Sequence, residues 1–163
     1  KLDTAAFDET FSLNVRSAFL CTRAAIPWLR RGGNGAVVMV SSVAARFGAG
    51  GVGGYAAAKA AVLGLTLSLA RELAPDGIRV NAVAPGVIDT PFHSATPKDR
   101  LAELKQMILL NRFGTAAEVA EVILFLAGKG AAYAARISGV FEASCTMARL
   151  NRAATSRSGF VAI

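Results

Sequence analysis

The residues from Ala36 to Val40, AVVMV, form an unbroken apolar run of strand length between a turn crowded with glycine (Gly32, Gly33, Asn34, Gly35) and a pair of serines. A half-exposed strand would alternate apolar with polar residues. A continuous run suits a strand buried on both faces, the situation in a parallel sheet covered by helices. The flanking segments agree. Asp3 to Arg31 reads as a long helix, acidic at its start (Asp3, Asp8, Glu9) and basic at its end (Arg23, Arg30, Arg31), with an apolar stripe at Phe7, Phe11, Val15, Ala18 and Cys21 and with Pro27 expected to bend or end it.

Beyond the serines, a second helix is expected from about Tyr55 to Leu73, stopped by Pro75, Asp76 and Gly77. A second strand follows at Ile78 to Val83 and is broken by Pro85 and Gly86. Val87 to Gly114 reads as a long excursion with a helical middle near Leu101 to Leu109, the kind of insertion that forms binding loops or lids. Thr115 with Glu118 makes a capping box ahead of a helix whose apolar face is Val119, Val122, Ile123 and Leu126, and Ile137 to Ala143 suits a last strand. Helix and strand thus alternate as in an α/β protein with a parallel sheet and right-handed crossovers. One domain over residues 1–143 is expected, followed by an atypical, loosely ordered tail over 144–163.

Composition narrows the function classes. Hydrophobic residues make up 53% of the 163, which excludes a disordered chain. The net charge of +7 is scattered, and more than half of the excess lies beyond Gly128. With no basic stripe interleaved with aromatics, nucleic-acid binding is not expected. The run Ala56 to Ala70 is interrupted by Lys59, Thr66 and Ser68, so no transmembrane helix is expected. The acidic N-terminal stretch lacks the basic-then-apolar order of a signal peptide, which points to a cytoplasmic protein. Cys21 and Cys145 are too few for a disulfide framework and read as buried, inert thiols. No metal site is expected.

The chemistry concentrates in SSVAARFGAGGVGGYAAAK, Ser41 to Lys59. Tyr55 and Lys59 stand four residues apart and so share one helix face. An ammonium beside a phenol favours the phenolate, and such a phenol can give a proton to a carbonyl oxygen or take one from an alcohol. Ser42 closes the apolar strand, at the sheet edge where open α/β folds place their ligands. A tyrosine and lysine at this spacing, or serines after a strand, are ordinary features singly; their joint placement is what carries the signal.

The stretches FSLNVRSAFLCTRAA, AVVMVSS, YAAAKAAVLGLTLSLARELAPDGIRVNAVAPGVIDTP and NRFGTAAEVAEVILFLA, in this order, resemble the second half of a short-chain dehydrogenase/reductase. The resemblance implies the second half of a Rossmann fold, a partial doubly wound parallel sheet with flanking helices. It implies an NAD- or NADP-dependent oxidoreductase acting on a small carbonyl/alcohol pair, with the choice between the two cofactors set by residues absent from this sequence. Tyr55 would be the acid/base, Lys59 would hold the nicotinamide ribose and favour the phenolate, and Ser42 would orient the substrate carbonyl. Asn14 would match the family asparagine that keeps a water in the proton relay to the lysine. Pro85, Gly86, Ile88 and Thr90 match the segment bordering the nicotinamide, and the substrate loop would run from Val87 to Arg112. His93 within it reads as a surface residue.

The sequence also departs from the family. The glycine-rich turn that cradles the cofactor pyrophosphate and the N-N-A-G stretch are not among the 163 residues, and the glycines at 48 to 54 lie on the wrong side of the strand to replace them. After Ile137-Ser138-Gly139 the expected glycine turn is lost. The alternative to an enzyme is therefore an inactive remnant or an interaction module that keeps the helices 8–30 and 56–73 used for family oligomers. In a sheet ordered 3-2-1-4-5-6-7, Ala36 to Val40 would form an uncovered edge, which favours self-association.

Overall fold

The computed structural model describes residues 3–133 and the strand Val140–Phe141. The N-terminal helical segment runs from α1 (Thr4–Phe11) through a π-helical stretch, Ser12–Arg16, into α2 (Ser17–Gly32). Asp3 opens it by accepting the Ala5 N–H. Pro27 does not end α2, which continues five residues beyond it. The helix stops instead at Gly33, whose φ of 75° is left-handed and suits glycine. Gly35 is needed for a different reason: a Cβ there would lie 2.9 Å from the Cβ of Leu29 and 3.0 Å from Ile78, so only glycine lets α2 come this close to the start of the sheet.

Strand β1 (Ala36–Val40) has the expected bounds and pairs in parallel with β2 (Arg79–Val83), Ala36 opposite Arg79 through Val40 opposite Val83. On the far side β2 pairs in parallel with β3 (Val140–Phe141), giving the order β1-β2-β3. The expectations for residues 144–163, Cys145 among them, concern residues outside those described. Between β1 and β2 run a short helix α3 (Ala44–Phe47), which the glycine-rich loop had not suggested, and α4 (Gly53–Leu73). After β2 come the excursion with α5 (Lys98–Met107) and then α6 (Ala116–Ala127), where the capping box forms as the sequence implies.

The strands sort their side chains by alternation. Met39, Val80 and Ala82 meet α4 through Val62, Leu69 and Leu73, while Val15, Ala18, Ile26 and Leu29 of the N-terminal helices close the same core. On the other face Val38 and Val83 meet Val122, Ile123 and Leu126 of α6. Each fully buried side chain of this size contributes roughly 1.5–3 kcal/mol. By length and composition the segment Gly53–Asp76 could cross a bilayer. Its stripe Ala58, Val62, Thr66, Leu69 and Leu73 is instead buried within the fold.

Two expectations are corrected. Cys21 is exposed, and Thr22 takes the buried position on α2, its hydroxyl satisfied by donating to the Ala18 carbonyl at 2.8 Å. The buried stripe advances four residues from Ala18, where the sequence had suggested three. β1 has helices on both faces yet is only partly buried: Met39 alone among its residues is buried, and Val40 is 46% exposed, because the described residues pair this strand on one edge only.

Candidate active site

The C-terminal ends of β1 and β2 are sewn together just past the sheet. The Ser41 N–H donates to the Val83 carbonyl at 2.8 Å, and the Val43 N–H to the Pro85 carbonyl at 3.1 Å. These bonds bring the serine pair alongside the Pro85–Gly86 turn. The excursion that follows is pinned at its neck by a parallel bridge between Ile88 and Gly114, with the Asp89 N–H on the Gly114 carbonyl (2.8 Å) and the Gly114 N–H on the Val87 carbonyl (3.0 Å). A Cβ on Gly114 would lie 2.7 Å from Ile88 Cδ1, so the absent side chain is what permits this approach. Ile88 and Thr90 are held at the same end of the sheet as Ser42, with the Thr90 hydroxyl 3.5 Å from the Ile88 carbonyl.

Helix α4 delivers Tyr55 and Lys59 from its first two turns. The Lys59 ammonium lies 5.7 Å from the centre of the Tyr55 ring and donates to the Val40 carbonyl at 2.9 Å. Partial burial pushes this ammonium below the usual lysine range, since desolvation disfavours the charged form. One of its three N–H groups is used on Val40, and two remain for a ligand. The Ser42 oxygen accepts the Ala44 N–H at 3.2 Å, which starts α3 and leaves the serine O–H to donate elsewhere.

Asn14 sits in the π-helical stretch, a deviation that often marks functional positions. Its amide donates to the Thr10 carbonyl at 2.9 Å, back along its own helix. The stretch touches α4, yet among the described residues no hydrogen bond joins Asn14 to Lys59. Two features escaped the sequence. Phe92, 74% exposed, sets its ring 6.2 Å from that of Tyr55, and His93, half-buried, lies between Phe92 (5.3 Å, edge-on) and Phe113 (6.5 Å, stacked). Ser41 is the other: it is buried, and its hydroxyl donates to the Lys59 backbone carbonyl at 2.8 Å.

The chain is similar to proteins of known kind. The family described as enoyl-(acyl carrier protein) reductase matches residues 1–137. The 3-oxoacyl-[acyl-carrier-protein] reductase of Thermotoga maritima is 42% identical over 127 residues, 78% of this chain and 52% of that protein. Human dehydrogenase/reductase SDR family member 4 is 40% identical over 129 residues, 78% of this chain and 46% of its own length. The chain belongs to the short-chain dehydrogenase/reductase family. A solved member, a 3-oxoacyl-[acyl-carrier protein] reductase from Brucella melitensis with bound NAD, superposes with a TM-score of 0.79 at 32% identity, covering 90% of this chain and 53% of that one. The chain spans about half the length of the curated relatives it matches.

The donor set at this end of the sheet suits one side of a nicotinamide dinucleotide. A half-buried ammonium with two unused N–H groups, a serine hydroxyl with a free proton and the Pro85–Thr90 turn at one sheet end suit a ribose and a carboxamide. Among the described residues no glycine-rich turn opens a helix at a strand end in the manner that grips a pyrophosphate. The fit is to the nicotinamide side.

Proposed function

We propose that this chain carries the proton-transfer side of an NAD(P)-dependent oxidoreductase that interconverts a small carbonyl compound and its alcohol. The observation that carries the reading is the position of the Lys59 ammonium, anchored on Val40 at the end of β1 and 5.7 Å from the Tyr55 ring centre. Bound NAD(P)H would supply the hydride that the protein itself lacks. Tyr55 gives its proton to the carbonyl oxygen in reduction and takes it back in oxidation. Lys59 supplies a positive charge beside the phenol that must become anionic, and its two remaining N–H groups hold the nicotinamide ribose. Ser42 donates its hydroxyl proton to the same carbonyl oxygen, where negative charge grows in the transition state. Asn14, one element away, would complete the relay to the lysine through a water. Pro85, Gly86, Ile88 and Thr90 border the nicotinamide.

The test is reduction of carbonyl substrates with NADH and with NADPH, comparing the protein with its Tyr55→Phe variant. Turnover that falls by roughly 10²–10⁴ in a variant that still folds supports the assignment. Equal turnover would remove Tyr55 from the chemistry.

Assembly follows from a second observation. Leu13, Phe19 and Trp28 are 67%, 42% and 72% exposed on the N-terminal helices, and a shallow apolar groove runs between Phe7, Phe11, Val15, Phe19 and Leu65. Ala57, Ala60, Gly64 and Ser68 leave the outer side of α4 smooth. Such faces suit packing against a second copy through the helices 8–30 and 56–73, in a cytoplasmic homo-oligomer. The same faces would serve the alternative, a catalytically inactive, truncated member acting as an interaction module, which retains assembly and lacks turnover.

A further inference from the structure

Ser41 is 3% exposed, and both of its donors, the N–H and the hydroxyl, are engaged. Its N–H fixes it to β2 through the Val83 carbonyl, and its hydroxyl crosses to α4, donating to the Lys59 carbonyl at 2.8 Å. The preceding residue, Val40, receives the ammonium of that same lysine at 2.9 Å. Two consecutive residues at the end of β1 therefore hold both ends of Lys59, the backbone by a side chain and the side chain by a backbone. A rotation or slide of α4 relative to the sheet would break both bonds together. A serine buried only to satisfy itself could donate to a carbonyl within its own segment; this one reaches eighteen residues along the chain to the one lysine of α4.

We propose that Ser41 is a positioning residue for Lys59: its hydroxyl fixes the turn of α4 from which the lysine reaches the Val40 carbonyl, and so holds the ammonium beside Tyr55. Its bearing on catalysis rests on the function proposed above, whereas its effect on the lysine does not. Ser42, one residue later, then belongs to the same rigid unit, with one serine placing the lysine and the next facing the substrate oxygen.

The experiment follows the Lys59 side chain directly, by pH titration of the lysine ε-carbon signals in protein labelled at that carbon, with Lys59→Arg to assign the resonance. Ser41→Ala is expected to raise the Lys59 midpoint by about half a pH unit or more, toward the other lysines, as the head is freed to solvent. Ser41→Thr keeps the hydroxyl and is expected to titrate as the parent does. If Ser41→Ala does not fold, Ser41→Cys, of similar size and a far weaker donor, makes the same comparison. A Lys59 midpoint unchanged in a folded Ala or Cys variant overturns the proposal. In the enzyme assay the Ala variant is expected to raise the cofactor KM about tenfold with a smaller change in kcat. Should the parent protein show no turnover, the functional reading falls, and the titration still decides the role of Ser41.

Discussion

The Lys59 ammonium donates to the Val40 carbonyl on the side of β1 that faces away from β2. Parallel pairing turns the Gly35 carbonyl and the Ser41 N–H toward β2, so the alternation of the strand turns the N–H and C=O groups of Ala36, Val38 and Val40 outward. The lysine proposed for cofactor binding thus caps the last carbonyl of the edge that the described residues leave unpaired. The candidate site and the sheet edge meet at one peptide group.

That edge predicts association. Unpaired N–H and C=O groups along an apolar strand are a template for another chain. The 163-residue chain is expected to self-associate, and Val40→Glu, which places a charge on a side chain already 46% exposed, should reduce this. Light scattering over a concentration series checks it, and a parent chain that stays monomeric at all concentrations would contradict it.

Ser42→Ala should lower carbonyl reduction by about 10² with little change in melting temperature, if the hydroxyl acts on the substrate oxygen as proposed, since among the described residues the fold uses it only to accept the Ala44 N–H. Ser42→Thr should keep most of the rate. Paired kinetic and melting measurements separate the two effects; a fall in stability matching the fall in rate would mean the hydroxyl serves α3 instead.

Arg79 is expected to matter more for stability than a charge in a strand suggests. Its guanidinium donates to the carbonyls of Leu126 (2.6 Å), Ala131 (3.3 Å), Ala127 (2.9 Å) and Gly128 (3.1 Å), gathering the carbonyl end of α6 onto β2. Arg79→Met should cost about 2–3 kcal/mol in denaturant titration. Arg79→Lys should recover only part of this, since an ammonium cannot span four acceptors.

Glu118 gives the fold a signature at acid pH. The Arg112 guanidinium, with the Thr115 N–H and hydroxyl, holds its carboxyl down to about 2 from an ordinary 4.5. A depressed folded-state value means the contribution is full above the unfolded value and is lost as pH falls through the folded one. The melting-temperature difference between the parent and Glu118→Gln should therefore persist at pH 5–7 and shrink between about 4.5 and 2. A difference independent of pH would show that the carboxylate charge is not what the cap uses.

The sequence made some of this legible for physical reasons. AVVMV declared β1 because a short apolar run rich in β-branched valine, bounded on both sides by turn residues, suits a buried strand, and Thr115 with Glu118 announced α6 because both side chains are needed to satisfy the first turn. Tyr55 and Lys59 came together because α4 begins at Gly53, ahead of both. The π-helical stretch around Asn14 left no trace, since one added residue in a turn changes no residue type. Thr22 carries a polar group where an apolar stripe is expected, so Cys21 draws the stripe, yet the Thr22 hydroxyl is satisfied within the helix and its position holds the period. Ser41 reads as an ordinary turn residue and Arg79 as one position of the Ile78 to Val83 strand; their partners lie 18 and 47 or more residues away, beyond what local pattern reveals.

The central claim, that Tyr55 and Lys59 form a nicotinamide-dependent proton-transfer site, is tested most directly by calorimetric titration of NADH and of NADPH into the protein and into Lys59→Ala. Micromolar binding of one or both, weakened about tenfold or more by Lys59→Ala, is the predicted result. Binding that ignores the substitution, or no binding to the parent protein, would contradict it.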